Sequence, residues 1–184
     1  MLPTFRPGDK VVDLFCGTGS VSVALKGVGA HVEASDHMLW CSLYTRSLLQ
    51  NSRRPSFVGI RKEVAYRSVP PAYEQILTFL NRLEPVEGFI WRSYSPASAR
   101  FCGIRRMYFT EENAGRIDAI RQTIEAWAPD LTEAEEALLI SDLLRSSAGI
   151  DAGASARDPE IDLDRTYTSI APPMRPEYAL PRKC

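Results

Sequence analysis

Apolar positions along the chain change their period several times, and each change marks an element. Lys10-Val-Val-Asp-Leu-Phe (10–15) is a short apolar run that stops at glycines and predicts a buried strand. Cys16-Gly-Thr-Gly-Ser follows, then Val21-Ser-Val-Ala-Leu-Lys has helical character up to the natural stops Gly27 and Gly29. His31-Val-Glu-Ala-Ser predicts a second short strand ending at Asp36, and residues 38–50 carry Met38, Leu39, Leu43, Tyr44, Leu48 and Leu49 at helical spacing. Strand, glycine loop, helix, strand, helix is the order of a βαβ unit in a parallel sheet.

The texture then changes. Residues 51–72 hold five basic residues and prolines at 55, 70 and 71, and read as a loop-rich crossover. A helix is predicted over 72–84, a brief strand over Gly88-Phe-Ile-Trp91, and an irregular segment rich in Arg, Ser and aromatics over 92–109. Two firmer helices follow. Thr110 is placed as N-cap ahead of Glu111 and Glu112, and Ala114, Ile117, Ile120, Ile124 and Trp127 share one face until Pro129. Thr132 with Glu135 makes a capping box for a helix carrying Leu138, Leu139, Leu143 and Leu144. Residues 147–184 hold few large aliphatics and five prolines, and read as an extended or poorly ordered tail.

Composition narrows the class without choosing within it. The 184 residues are 45% hydrophobic and 24% charged, as expected of one globular domain or one domain plus part of a second. No window reaches the length needed to span a bilayer, and Met1-Leu-Pro-Thr-Phe-Arg-Pro-Gly has no apolar signal region, so no membrane association is expected. Cys16, Cys41, Cys102 and Cys184 are scattered, which argues against a zinc site or disulfide scaffold and fits a reducing cytoplasm. The net charge of −1 hides an asymmetry: residues 1–110 carry +6 and residues 111–184 carry −7. The basic part is suited either to a nucleic acid or simply to water.

The sharpest chemical signal is Asp13-Leu-Phe-Cys-Gly-Thr-Gly19 at the end of the first strand. Glycines at a strand-to-helix turn let backbone approach a ligand, and a helix N-terminus favours anionic groups; a tight turn alone would also need them. Asp36 closes the second strand, where an acid accepts hydrogen bonds from ribose hydroxyls. A dinucleotide fingerprint would place its third glycine at Ser22 and has no use for Asp13 or Phe15.

The Asp-x-Phe-x-Gly-x-Gly pattern resembles the first motif of S-adenosylmethionine (SAM) dependent methyltransferases. The resemblance implies that Asp13, Phe15, Cys16, Gly17, Thr18 and Gly19 border the methionine part of SAM. It places Asp36 on the ribose, and Met38 and His37 beside the adenine. A longer stretch, residues 89–127 with Arg106-Met-Tyr-Phe-Thr-Glu-Glu-Asn-Ala-Gly-Arg-Ile-Asp-Ala-Ile-Arg121 at its centre, resembles the central segment of the D12 class (Dam-like) of adenine-specific DNA methyltransferases. Matching segments cover roughly residues 10–146.

That resemblance implies an α/β, Rossmann-like methyltransferase core with a partial parallel sheet and an appended helical recognition segment. It implies methyl transfer from SAM to N6 of an adenine flipped out of double-stranded DNA. The corresponding divisions are 1–60 for the SAM-binding βαβ part, 61–146 for the target-recognition segment and 147–184 for the divergent tail. Arg105, Arg106 and Tyr108 are the expected DNA contacts, with Arg100, Arg116 and Arg121 as further phosphate candidates. Trp91, Tyr94, Tyr108 and Phe109 are suited to base stacking or to core packing.

Two departures from the class stand out. The segment ahead of the SAM motif is short, and the sequence contains no Asp-Pro-Pro-Tyr. The nearest string, Ala171-Pro-Pro-Met174, lacks both the oxygen acceptor and the aromatic face that the chemistry requires. No catalytic residue and no metal ligand are therefore assigned. The reading is a chain ending before its catalytic motif, completed by a separate chain that carries it. The alternatives are an active methyltransferase with unfamiliar catalytic residues, a non-catalytic SAM- or DNA-binding remnant, and a methyltransferase acting on RNA or a small molecule.

Overall fold

The structure is a computed structural model and describes residues 5–53, 55–64 and 72–148. The tail reading from residue 149 onward, and Ala171-Pro-Pro-Met174 within it, lie outside the described residues. Strand β1 (Lys10–Asp13) and strand β2 (His31–Ala34) form a parallel pair in register from Lys10 opposite His31 to Asp13 opposite Ala34. Helix α1 (Ser20–Gly27) makes the crossover and α2 (Leu39–Gln50) leaves the second strand. This is the expected α/β order.

Both strands are shorter than the apolar runs that predict them, and they are not deeply buried. Val11, Asp13, Val32 and Ala34 are half-buried, whereas Val12, on the opposite face, is 60% exposed. The run Lys10–Phe15 predicts a buried strand. Instead Leu14 and Phe15 belong to the turn, with Phe15 84% exposed. Burial of both faces of a parallel sheet needs cover on both faces. Among the described residues α1 and α2 supply the packing on β1 and β2.

The main apolar core sits elsewhere, among α3 (Ala72–Asn81), α6 (Glu111–Trp127) and α7 (Glu133–Ala148). Ile76, Leu77 and Leu80 of α3 meet Ile117, Ile120, Ile124 and Trp127 of α6, and Leu139 and Leu143 of α7. The predicted face of α6 is thus buried as a set. Its N-cap is the predicted one: Thr110 Oγ1 accepts from the Asn113 amide at 3.1 Å. The capping box of α7 also forms, with Thr132 N donating to Glu135 Oε2 at 3.0 Å and Glu135 N to Thr132 Oγ1 at 3.3 Å. The other oxygen of Glu135 accepts from the buried Phe57 amide at 2.7 Å. One side chain therefore caps α7 and fastens the preceding loop, where Phe57 holds a left-handed φ of 47° and stacks on Tyr73. Leu144, expected on the apolar face of α7, is 39% exposed.

The brief strand expected at Gly88–Trp91 is a helix, α4 (Phe89–Tyr94). Its start is capped from a distance. The carboxylate of Asp118, buried in mid-α6, accepts from Ile90 N at 3.0 Å and Trp91 N at 2.7 Å. A Cβ on Gly88 would lie 2.4 Å from the Asp118 carboxyl carbon, so the approach requires glycine. Nothing local in Gly88-Phe-Ile-Trp announces a cap contributed thirty residues downstream. The segment expected to be irregular contains a 3-10 turn (Pro96–Ser98) and α5 (Ala99–Cys102), and residues 103–109 have no regular secondary structure.

Asp142 of α7 is buried and accepts a hydrogen bond from the Tyr73 hydroxyl. Burial pushes its carboxyl up to about 6, against the opposing influence of Tyr73 and Arg145. Between the ordinary carboxylate range near pH ~4 and pH 6, the folded chain holds a proton that the unfolded chain has released. Stability contributed at this site therefore falls as pH rises through that window and stays lower above it. Asp142→Asn keeps an acceptor for Tyr73 and cannot ionise. Relative to the parent, it gains up to about 3 kcal/mol between pH 4 and pH 7 in urea denaturation. Parallel stability curves for the two proteins would show that Asp142 ionises in the fold without cost.

Candidate functional site

The parallel pairing brings the C-terminal ends of both strands to one edge. Ser35 N donates to Asp13 O at 2.8 Å and Cys16 N to Ser35 O at 3.0 Å, which carries the ladder one step beyond the strands. The chain then diverges into two loops, 14–19 and 35–38, that remain tied together. Gly17 N donates to Asp36 Oδ2 at 2.9 Å, and Met38 N to Asp36 Oδ1 at 2.9 Å. These amides, Met38 first and Gly17 second, hold the Asp36 carboxyl below the usual carboxylate range. Asp36 is therefore a fixed anion at neutral pH. Each oxygen retains a further lone pair for a ligand hydroxyl.

Asp13 faces the helix side of the sheet and is anchored by Ser22 Oγ, which donates to Asp13 Oδ2 at 2.6 Å. Ser22, where a dinucleotide fingerprint would need glycine, is wholly buried and serves this bond. Gly17 and Gly19 both have left-handed backbone, φ 52° and 77°. Gly19 precedes α1, which has no side-chain cap and no acid in its first turn. The positive end of α1 is thus left available at the loop. Thr18 is exposed beside Ser20, with 3.5 Å between the two hydroxyls, and Cys16 is buried beneath the loop.

The back wall of the site is α2, and its buried face departs from the expected one. Leu39 is 74% exposed and Met38 52%, while Cys41, Thr45 and Ser47 are buried. Thr45 Oγ1 donates to Gly17 O at 3.2 Å and Ser42 Oγ to Asp36 O at 3.2 Å. A Cβ on Gly19 would lie 2.8 Å from Thr45 Oγ1, so backbone and helix touch directly. Only small side chains fit there, and their hydroxyls occupy carbonyls that the turn leaves open. The apolar period of residues 38–50 could not reveal this face, because what it packs against is polar backbone. Burial raises the Cys41 thiol, with Asp36 adding to the effect, so Cys41 is a poor nucleophile.

The other expected residues fall into distinct places. Phe15, His37 and Met38 are exposed around the Asp13–Asp36 edge. Arg105, Arg106 and Tyr108 lie on the segment between α5 and α6, remote from the two strands in sequence. Arg105 and Tyr108 are exposed, whereas Arg106 Nη1 donates to Ser93 O at 2.9 Å and its amide to Ser98 Oγ at 2.9 Å. Arg116 pairs with Glu112 at 3.3 Å on the surface of α6. Trp91 is buried and Phe109 packs on the core, while Tyr94 and Tyr108 are exposed. Among the described residues no three His, Cys, Asp or Glu side chains are grouped to hold a metal ion. No described helix is long and apolar enough to cross a membrane.

Comparison with known proteins gives this edge a context. The chain is 34% identical over 144 residues to the modification methylase LlaI of Lactococcus lactis subsp. lactis, covering 76% of this chain and 21% of that protein. It is 31% identical over 140 residues to the type II methyltransferase M.FokI of Planomicrobium okeanokoites, covering 73% and 20%. The match to the type II methyltransferase M.NlaIII of Neisseria lactamica is 32% over 120 residues, covering 65% and 30%. The chain is similar to a segment of these methyltransferases. It spans between 20% and 30% of their length. No family model and no solved structure matches it.

The two glycines make separable demands. Gly19→Ala meets both an unfavourable φ and the Thr45 side chain, whereas Gly17→Ala meets only the φ, since nothing lies within 4 Å of its Cβ position. A left-handed non-glycine residue costs about 1–2 kcal/mol. Gly19→Ala is expected to lower stability by about 1–3 kcal/mol more than Gly17→Ala. Thermal unfolding of the two variants measures the difference, and equal losses would remove Thr45 from the account.

Proposed function

We propose that this chain is the SAM-binding and target-recognition part of a DNA methyltransferase specific for N6 of adenine, of the Dam-like class. The observation that carries the reading is the hydrogen bond from Gly17 N to Asp36 Oδ2, which joins the glycine loop and the ribose-type acid at one sheet edge. The similarity to a modification methylase and to type II methyltransferases supports it.

The donor set suits SAM. Asp36 is ionised, oriented by two backbone amides and only partly buried, so its remaining lone pairs can accept the ribose hydroxyls. The exposed Met38 offers an apolar surface for adenine, with His37 beside it. The uncapped start of α1 complements the methionine carboxylate, and Gly17 and Gly19 let it approach without side chains in the way. Asp13, Phe15, Cys16 and Thr18 complete the border, Asp13 through its fixed carboxylate. When bound, SAM supplies an electrophilic methyl group on a sulfonium.

The residues of this chain bind and orient the donor and, through Arg105 and Tyr108, engage double-stranded DNA; Arg106 secures their segment to α4. Methyl transfer also needs an acceptor for a proton of the adenine amino group. The sequence contains no Asp-Pro-Pro-Tyr to provide one, so the proposal places that step on a further segment or chain.

Calorimetric titration with SAM tests the reading. The parent chain is expected to bind, and Asp36→Ala to weaken binding at least about 10-fold, the loss of one or two charge-assisted hydrogen bonds. Because the Asp36 carboxyl titrates below the usual carboxylate range, affinity is expected to stay level from pH 8 down to pH ~5 and to fall only in stronger acid. Absence of SAM binding by the parent would overturn the proposal. Labelled methyl transfer to unmethylated DNA, followed by identification of the modified base, tests the adenine assignment.

A further inference from the structure

Residues 89–109 contain four arginines, six aromatics and no acidic residue, within a chain whose net charge is −1. The fold exposes four of these aromatics and three of these arginines, none of them at the SAM edge, while Trp91 and Phe109 pack inward and Arg106 is held by Ser93. Tyr108 meets Tyr94 edge to face at 5.7 Å, and Tyr94 meets Phe89 at 5.9 Å. One turn along α4 from Phe89, the Arg92 guanidinium lies over Phe101 at 5.0 Å. Phe101 in turn meets Trp91, over which Arg100 lies at 5.5 Å.

Phe89 is 59% exposed, Phe101 55% and Tyr108 53%. Arg92, Arg100 and Arg105 are exposed among them, and Arg106 buttresses the segment from behind through Ser93. Glu111 is the one acid the structure records against this set, 3.9 Å from Arg100 among the described residues.

Large aromatic faces left in water are unfavourable unless something covers them. Guanidinium groups beside them select an anionic cover. A nucleic-acid strand with exposed bases meets both demands, since bases stack on aromatic rings irrespective of sequence while arginines follow the phosphates. A protein partner would meet the aromatics, but it would need a concentrated acidic surface to answer three exposed arginines.

We propose that this surface binds DNA where its bases are unpaired, stacking them on Phe89 and Tyr108 and holding phosphates with Arg92, Arg100 and Arg105. That the nucleic acid is DNA rests on the function proposed above. The surface thus adds to duplex recognition a preference for a locally opened strand.

Fluorescence anisotropy with the full chain tests this, using one labelled duplex fully paired and another with a short internal run of unpaired adenines. The parent is expected to prefer the opened duplex roughly 10-fold. Phe89→Ala and Tyr108→Ala are expected to remove most of that preference, and Tyr108→Phe to keep it. Arg105→Gln is expected to weaken both complexes and reduce the salt slope by about 1. Equal affinity of the parent for both duplexes, or a preference unchanged in Tyr108→Ala, would overturn the proposal. So would altered self-association of these variants in sedimentation with unchanged DNA affinity, which would mark a protein contact instead. SAM titration of the same samples separates the two readings. A parent that binds opened DNA but not SAM sinks the methyltransferase reading alone, and one that binds SAM without the preference sinks this surface alone.

Discussion

The hydrogen bond from the Gly17 amide to the Asp36 carboxylate, next to that from Cys16 N to Ser35 O, closes the loop after β1 onto the loop after β2. The site's geometry depends on it. The bond requires the strands to be parallel and in their observed register, because only then do both C-terminal ends reach the same edge. It requires left-handed backbone at Gly17, which an L side chain resists. It also requires α2 close behind, where Thr45 takes the Gly17 carbonyl and Ser42 takes that of Asp36. Loop, acid and helix are therefore one unit, and loosening any of them moves the others.

Helix α2 extends that unit into the rest of the molecule. Its main packing partner is α7. Arg145 of α7 lies 4.2 Å from the Tyr44 ring centre, and Asn51, just past α2, donates to Ala134 O at 2.9 Å. On the other side, Lys26 of α1 donates to Leu48 O at 3.4 Å and also to Leu49 O, so a cation sits on the carbonyl end of α2. Burial lowers the Lys26 ammonium from its usual range. A small two-stranded sheet with one exposed face is thus held by a helix rooted in the larger helical core.

The helical body has its own constraint of the same kind. Asp118 and Glu135 are acids in buried surroundings, and each serves backbone amides of a distant segment: α4 for Asp118, the loop at Phe57 for Glu135. Buried carboxylates are costly unless so engaged. Here they replace the local caps that α4 and the loop lack. The aromatic and arginine surface on α4 and the segment following α5 takes its shape from this anchoring.

Much of this was legible in the sequence because its causes are local. The glycine turn, the alternation of strand and helix, the caps at Thr110 and Thr132 and the apolar face of α6 depend on residues a few positions apart. Asp13 and Asp36 could be named because strand ends are where such loops meet ligands. What only the tertiary structure decided are matters of contact between remote segments. Phe89–Trp91 became helical because Asp118 caps it. Arg106 is engaged by Ser93, while Arg105 faces water. Thr45 is buried where α2 meets the loop, because the Gly19 backbone lies directly against its side chain. Periodicity reports how apolar side chains divide between core and water, and it carries no information about a carboxylate or a carbonyl arriving from elsewhere in the chain.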